Sequence, residues 1–243
     1  MVVLRRVLVT GATAGIGEAI AERLASEGYE VTAVGRRAER LQALARRSGV
    51  QPAPGDVTDA ARMQQIVAQA QPEILINNAG IGLAISGLDA ADAGGIARSV
   101  ATNVTAPIQI TQMVLPAMKA AGRGHIVNVG SIAGLHTLQS ALYGAGKAAV
   151  HRFSQNLRHE LVGTGVRVTE LCPGRVESEF YDAKTGNIEN NSLSSVGYKA
   201  LSPLDIADAV LYALSVPDHV NITTLEILPT GQAVGGVKVA EIP

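Results

Sequence analysis

The feature that most constrains this chain is an alternation. Short, β-branched apolar runs are followed again and again by longer segments with helical spacing. Val7-Leu8-Val9-Thr10 reads as a buried strand, followed by a glycine-rich turn and a helix from about Gly17 to Glu27. Glu30 to Val34 is a second strand, and Arg37 to Arg47 a helix with Leu41, Leu44 and Ala45 on one face. A short strand near Val50 to Ala53 precedes a helix opened by Thr58 or Asp59 as N-cap. Ile74-Leu75-Ile76 is a fully apolar strand. Two helical segments run from about Ala90 to Ala121, with Pro107 suited to the first turn of the second. His125 to Val129, Val166 to Leu171 and Thr224 to Leu228 complete the strands, with helices over Ala141 to Val162 and Leu204 to Leu214 between them.

Strands alternating with helices imply a parallel sheet covered on both faces. Strands buried on both sides account for the continuous apolar runs. No repeat, low-complexity tract or linker interrupts the pattern, so residues 1–243 are expected to form a single α/β domain, a doubly wound parallel sheet. From Pro173 to Ser202 the periodicity lapses, and Asn, Ser and Gly cluster around Gly186 to Gly197. An aperiodic stretch of that length inside a compact chain reads as a functional lid, here over about 174–202.

Composition agrees. Apolar residues make up 47% of the chain and charged ones only 17%, below the roughly 25% common in soluble domains. A doubly covered sheet or an oligomer exposes little surface per residue and needs few charges. The formal net charge of -1 gives no nucleic-acid footprint. One cysteine, Cys172, excludes a disulfide framework. No stretch approaches a membrane span, and Met1 to Thr10 lack a signal-peptide pattern, so a cytoplasmic location without membrane partners is expected. The histidines show no metal-ligand spacing, and no metal is expected. Cys172 reads as a small buried residue, and His151 as facing a helix neighbour.

Thr10-Gly11-Ala12-Thr13-Ala14-Gly15-Ile16-Gly17 joins the first strand to the first helix. Glycines at such a junction permit a tight turn and close backbone approach. The helix start then offers unpaired N–H groups and a positive dipole end to a phosphate. The second strand ends in Gly35-Arg36-Arg37, where a site specific for NAD would usually place an acidic residue for the ribose hydroxyls. Two guanidinium groups suit a 2′-phosphate instead, which favours NADP(H) over NAD(H).

Ser131 follows a strand end, and Tyr143 and Lys147 lie one helical turn apart. A phenol titrates near 10; a nearby ammonium stabilises the phenolate and brings it within range for acid–base work. Taken singly, a Tyr–Lys pair or a serine is commonplace. Together with a dinucleotide loop, they point to an enzyme.

At this point the sequence resembles the short-chain dehydrogenase/reductase family. The matching elements are the Gly11–Gly17 loop, Asp56-Val57, Asn77-Asn78-Ala79-Gly80, Asn103, Ser131, Tyr143-x-x-x-Lys147 and Pro173-Gly174, in the family's order across nearly the whole chain. The resemblance implies a seven-stranded Rossmann-type sheet and hydride transfer between NAD(P) and a carbonyl/alcohol pair. It implies that Tyr143 is the acid/base, that Lys147 lowers its pKa and bonds the nicotinamide ribose, that Ser131 orients the substrate oxygen, and that Asn103 holds a relay water. Around the cofactor it implies Gly11, Thr13, Ala14, Gly15, Ile16 and Gly17 at the phosphates, Arg36 and Arg37 at the ribose phosphate, and Asp56 and Val57 beside the adenine. Asn77, Asn78, Ala79 and Gly80 would line the cleft. Pro173, Gly174 and Val176 follow, with Ser178 where the family often has Thr contacting the carboxamide. Members are usually homotetramers.

Gly11 to Glu18, Gly163 to Thr169 and Pro217 to Glu226 are similar to the NADP-dependent 3-hydroxy acid dehydrogenase branch, with sulfoacetaldehyde reductases as relatives. The resemblance implies a small 3-hydroxy acid or its aldehyde or keto form as substrate, and hence a cation near the pocket. Arg175 and Lys184 are the candidates, with His136 and Gln139 as further candidates to line it. A carbonyl reductase for uncharged ketones or aldehydes stays open, as does a non-catalytic NADP-binding redox sensor.

Overall fold

The computed structural model describes residues 5–82, 88–138, 140–177 and 199–234. Among the described residues the chain runs β1 (Arg6–Thr10), α1 (Gly15–Ser26), β2 (Glu30–Gly35), α2 (Ala38–Ser48), β3 (Gln51–Pro54), α3 (Ala60–Ala70), β4 (Ile74–Asn77), α4 (Ala93–Val100), α5 (Ala106–Ala121), β5 (Gly124–Val129), α6 (Ile132–Leu135), α7 (Ala141–Glu160), β6 (Val166–Pro173), α8 (Pro203–Ser215) and β7 (Thr224–Ile227). The strands form one parallel sheet in the order β3-β2-β1-β4-β5-β6-β7. This is the expected doubly wound α/β architecture.

Alternation along each strand sorts the core into two layers. Val7 and Val9 of β1 face α1, α2 and α8, packing with Ile20, Leu24, Leu41, Leu44, Ile206 and Val210. Leu8, between them, faces α3, α5 and α7, packing with Met63, Ile66, Val114, Met118 and Leu157. Each side of the sheet is sealed by small and branched aliphatic side chains, which is why so few aromatics suffice.

The strand order reverses between β1 and β4, so the loops after these strands open a crevice at the sheet's carboxyl edge. Asn78 stitches that crevice: its Nδ2 donates to Thr10 O at 2.9 Å and Gly11 O at 3.3 Å. The Thr10 hydroxyl accepts from the backbone N–H groups of Asn78 and Ala79 at 3.0 and 3.1 Å.

Local chemistry explains most boundaries. Asp59 caps α3 by accepting from Arg62 N at 2.9 Å, and Ser202 forms a capping box with Asp205 at the start of α8. Pro107 sits in the first turn of α5 as its spacing predicts. The two segments expected over 90–121 prove to be joined by a π-helical stretch, Ala101–Thr105, which carries Asn103. The four-residue helix α6 is too short for periodicity to reveal.

A polar row crosses the buried face under α5 and α7. Asn77, Asn128 and Glu170 are in register on β4, β5 and β6. Asn77 Nδ2 donates to Asn128 Oδ1 at 2.9 Å and to Thr111 Oγ1 at 3.1 Å, and Asn128 Nδ2 donates to Ser154 Oγ at 2.9 Å. Removing a partner from such a network leaves desolvated groups unpaired. Asn128→Ala should therefore cost about 2–3 kcal/mol and lower Tm by about 5–10 °C in a circular-dichroism melt.

Candidate active site

The glycine loop is shaped by contacts no larger side chain would tolerate. Gly11 has φ +69°, and a Cβ there would lie 2.8 Å from Ala79 Cα. A Cβ on Gly17 would overlap both Asn78 Nδ2 and Gly11 O. The start of α1 carries no side-chain cap, because Ala14 occupies the N-cap position in extended backbone. Its first N–H groups are thus available to an anion. The cradle fits the pyrophosphate of a dinucleotide.

Thr13 of this loop meets the end of β2. Arg37 donates from Nε and Nη2 to Thr13 Oγ1 at 3.1 and 2.9 Å. Arg36 is largely exposed, with Nη1 4.0 Å from Asp56 Oδ2. Burial would raise the Asp56 carboxyl, but bonds from Thr58 N and Oγ1 and the Arg36 charge hold it below its ordinary value. Val57 is buried beside it. Two guanidinium groups therefore stand at the mouth of the loop where a 2′-phosphate would sit.

Ser131 follows the end of β5, where the Val129 carbonyl receives Lys147, and Tyr143 lies one helical turn from Lys147. Ser131 caps α6, its Oγ accepting from Ala133 N at 3.1 Å, which leaves the hydroxyl hydrogen to donate elsewhere. Tyr143 and Lys147 sit on the first two turns of α7, with Lys147 Nζ 5.8 Å from the centre of the Tyr143 ring. Lys147 is buried and donates to Val129 O at 2.7 Å. Gly134 allows this packing: a Cβ there would lie 2.7 Å from the Lys147 carbonyl. Asn103 faces the same corner. Its Oδ1 accepts from Ile81 N at 2.8 Å and its Nδ2 donates to Ile81 O at 2.8 Å, clamping the chain just after Gly80.

Pro173 ends β6, and Gly174 continues from it, bonding Ile227 O at 2.7 Å. Arg175 N donates to Gln232 Oε1 at 2.8 Å. Val176 pairs with Leu201 in a parallel bridge, and Glu177 N bonds Leu201 O at 2.8 Å, so the two ends of the expected lid meet. Gln139, Ser178, Lys184 and most of the lid lie outside the described residues. His136 is drawn to β7, with Nε2 2.7 Å from Glu226 Oε1. His151 faces strand β6, with Nδ1 2.6 Å from Glu170 Oε2, and also meets the expected helix neighbour, its Nε2 lying 2.9 Å from Nε2 of Gln155 one turn on.

The sequence reading missed Thr10, Gln232 and Glu170. Thr10 and Glu170 did leave a signal, as polar residues inside or ending apolar strands.

Burial pulls the Lys147 ammonium down to about 8, and this outweighs the raising effects of Cys172 and Glu170. Because that value lies below the ordinary lysine value, the unfolded chain binds more protons between about pH 8 and 10.5, and stability rises with pH there. Lys147→Met should flatten the rise, whose slope for one proton is at most about 1.4 kcal/mol per pH unit; denaturant titrations of cofactor-free protein would measure it.

Comparison with known proteins bears on this arrangement. Residues 5–188 match the family model for short chain dehydrogenase. The chain is 41% identical to the NADP-dependent 3-hydroxy acid dehydrogenase YdfG of Salmonella typhi, covering 96% of this chain and 98% of that protein. It is 42% identical to the sulfoacetaldehyde reductase of Chromohalobacter salexigens, covering 93% and 94%. Its fold is similar to the closed form of serine dehydrogenase complexed with NADP+, with a TM-score of 0.92 and 38% identity over 97% of this chain and 99% of that one. With the glycine cradle and the Ser131, Tyr143 and Lys147 corner in place, the chain belongs to the short chain dehydrogenase family.

Proposed function

We propose that this protein is an NADP-dependent oxidoreductase that interconverts a small 3-hydroxy acid and its aldehyde or keto form. The observation that carries the reading is Lys147, buried on Val129 O and one helical turn from Tyr143 at the mouth of the crevice. The relatives named for 3-hydroxy acids, serine and sulfoacetaldehyde support the substrate class.

NADPH, when bound, supplies the hydride. Gly11, Thr13, Gly15, Ile16 and Gly17 would hold its pyrophosphate, and Arg36 and Arg37 its 2′-phosphate. Asp56 and Val57 would border the adenine, while Asn78, Ala79 and Gly80 would line the cleft. Pro173, Gly174 and Val176 would flank the nicotinamide end. As charge grows on the substrate oxygen, Tyr143 donates its proton and Ser131 donates a hydrogen bond, so both contacts strengthen in the transition state. In the oxidative direction Tyr143 accepts the proton. Lys147 holds the positive charge that eases phenolate formation. Asn103 fixes Ile81, beside Gly80, and its place near Lys147 suits it to hold a relay water. Arg175, at the end of β6, is the candidate partner for a substrate carboxylate or sulfonate. We also infer a homotetramer in the cytoplasm; among the described residues no helix is long and apolar enough to cross a membrane.

Three outcomes test this reading. Tyr143→Phe should cut kcat for 3-hydroxypropionate oxidation by about 10²–10⁴-fold, read as NADPH absorbance; wild-type turnover would sink the assignment. Replacing both Arg36 and Arg37 by Ala should raise KM for NADP+ by about tenfold or more and leave KM for NAD+ nearly unchanged. Arg175→Ala should raise KM for anionic substrates and spare neutral ketones; equal effects on both would favour the uncharged-carbonyl alternative.

A further inference from the structure

Tyr143, Lys147, His151 and Gln155 recur every four residues along α7, so each neighbours the next on the helix surface. Only the first two belong to the chemistry above. The third, His151, meets a carboxylate on the strand beneath: its Nδ1 lies 2.6 Å from Glu170 Oε2, and Gln155 Nε2 lies 2.9 Å from its other ring nitrogen.

Glu170 is a costly residue to place here. It is fully buried in the middle of β6, and among the described residues no nitrogen or oxygen donor reaches its Oε1. That oxygen is aimed at the turn that carries Ser131: a Cβ on Gly130 would sit 2.5 Å from it. Gly130 N also bonds β6 directly, through Leu171 O at 2.7 Å. Gly130 follows Val129, whose carbonyl receives the Lys147 ammonium. The carboxylate and the ammonium thus reach the same strand end from under α7, and a buried cation needs such a counter-charge.

We propose that Glu170, held by His151, is the positioning residue that supplies the counter-charge for the Lys147 ammonium and fixes the Gly130–Ser131 turn. The inference rests on the reading of Tyr143 and Lys147 given above. It names neither residue as a participant in the chemistry; both act through Lys147.

The other charged and titratable groups around Glu170 do not replace it. Cys172, on the same strand, has a donor atom within 4.8 Å of those of His151 and Glu170. Burial, and then the Glu170 charge, push its thiol up, so it stays neutral and supplies no anion. Arg158 of α7 is held by Thr223 O at 2.9 Å and Val168 O at 3.4 Å. On β7, Glu226 is engaged by His136. Asn128 on β5 and Gly130 just after it carry no charge.

The test is the pH profile of alcohol oxidation by the full-length enzyme with NADP+ and 3-hydroxypropionate. Turnover needs Lys147 as ammonium, so its alkaline limb reports that group. Removing an adjacent negative charge lowers the pKa of an ammonium. Glu170→Gln should move the limb to lower pH by about one unit, roughly a tenfold loss of kcat above it, with KM for NADP+ changed by less than about threefold. Glu170→Asp, which keeps the charge, should restore the limb even where Tm falls. A purely structural role would lower kcat evenly at every pH and move no limb. Should Glu170→Gln fail to accumulate as folded protein, Glu170→Thr removes the charge with a side chain suited to a strand and is read in the same way. A limb that stays in place while Tyr143→Phe and Lys147→Met abolish turnover overturns this inference alone. Wild-type turnover in Tyr143→Phe overturns the site assignment beneath it.

Discussion

A lysine ammonium held in the interior and donating to a backbone carbonyl is the constraint on which the rest of this site depends. Removing a cation from water is expensive, and the surrounding structure is arranged around that expense. The end of β5 turns so that Val129 O points at Nζ. Gly134 lets α6 approach the backbone of α7, and Gly80 keeps the loop after β4 clear of Asn103 and the ammonium. The benefit is chemical, since a poorly hydrated positive charge acts on a neighbouring phenol more strongly than a surface lysine could.

The second organising element is the meeting of β1, β2 and β4 around the glycine loop. Thr10, Thr13 and Asn78 each join two segments there, so the cradle is set by hydrogen bonds that need no ligand. A preformed cradle loses less entropy on binding than one that must be ordered. Two of its contacts, at Gly11 and Gly17, leave no room for a methyl group, which explains why glycine recurs at those places in an otherwise alanine-rich turn.

Much of this was legible beforehand, because strand periodicity and glycine chemistry are local. Val7 to Thr10 and Ile74 to Ile76 announced themselves as doubly buried strands, and Asp59 and Pro107 marked helix starts with a physical reason for each. Ser131, Tyr143 and Lys147 could be singled out by residue type and order alone. What could not be read was lateral. That Asn77, Asn128 and Glu170 form a cross-strand row depends on sheet order, which no single segment encodes. His151 could be placed on α7, but which strand lay beneath it depended on the packing of α7 over β6. The π-helical stretch at Asn103 and the short helix α6 are tertiary accommodations without a periodic signature of their own.

The bridge between Val176 and Leu201 has an evolutionary consequence. It closes the chain into a stapled neck, so whatever lies between 178 and 198 is an excursion that leaves and re-enters the fold at adjacent points. Each doubling of such an excursion costs only about 0.6 kcal/mol in closure entropy. Insertions and deletions there leave the strand that precedes them and the helix α8 that follows in place. The scaffold and the stretch that joins the two sides of the neck are thereby separately mutable, and a lineage can change one while the other stays as it is.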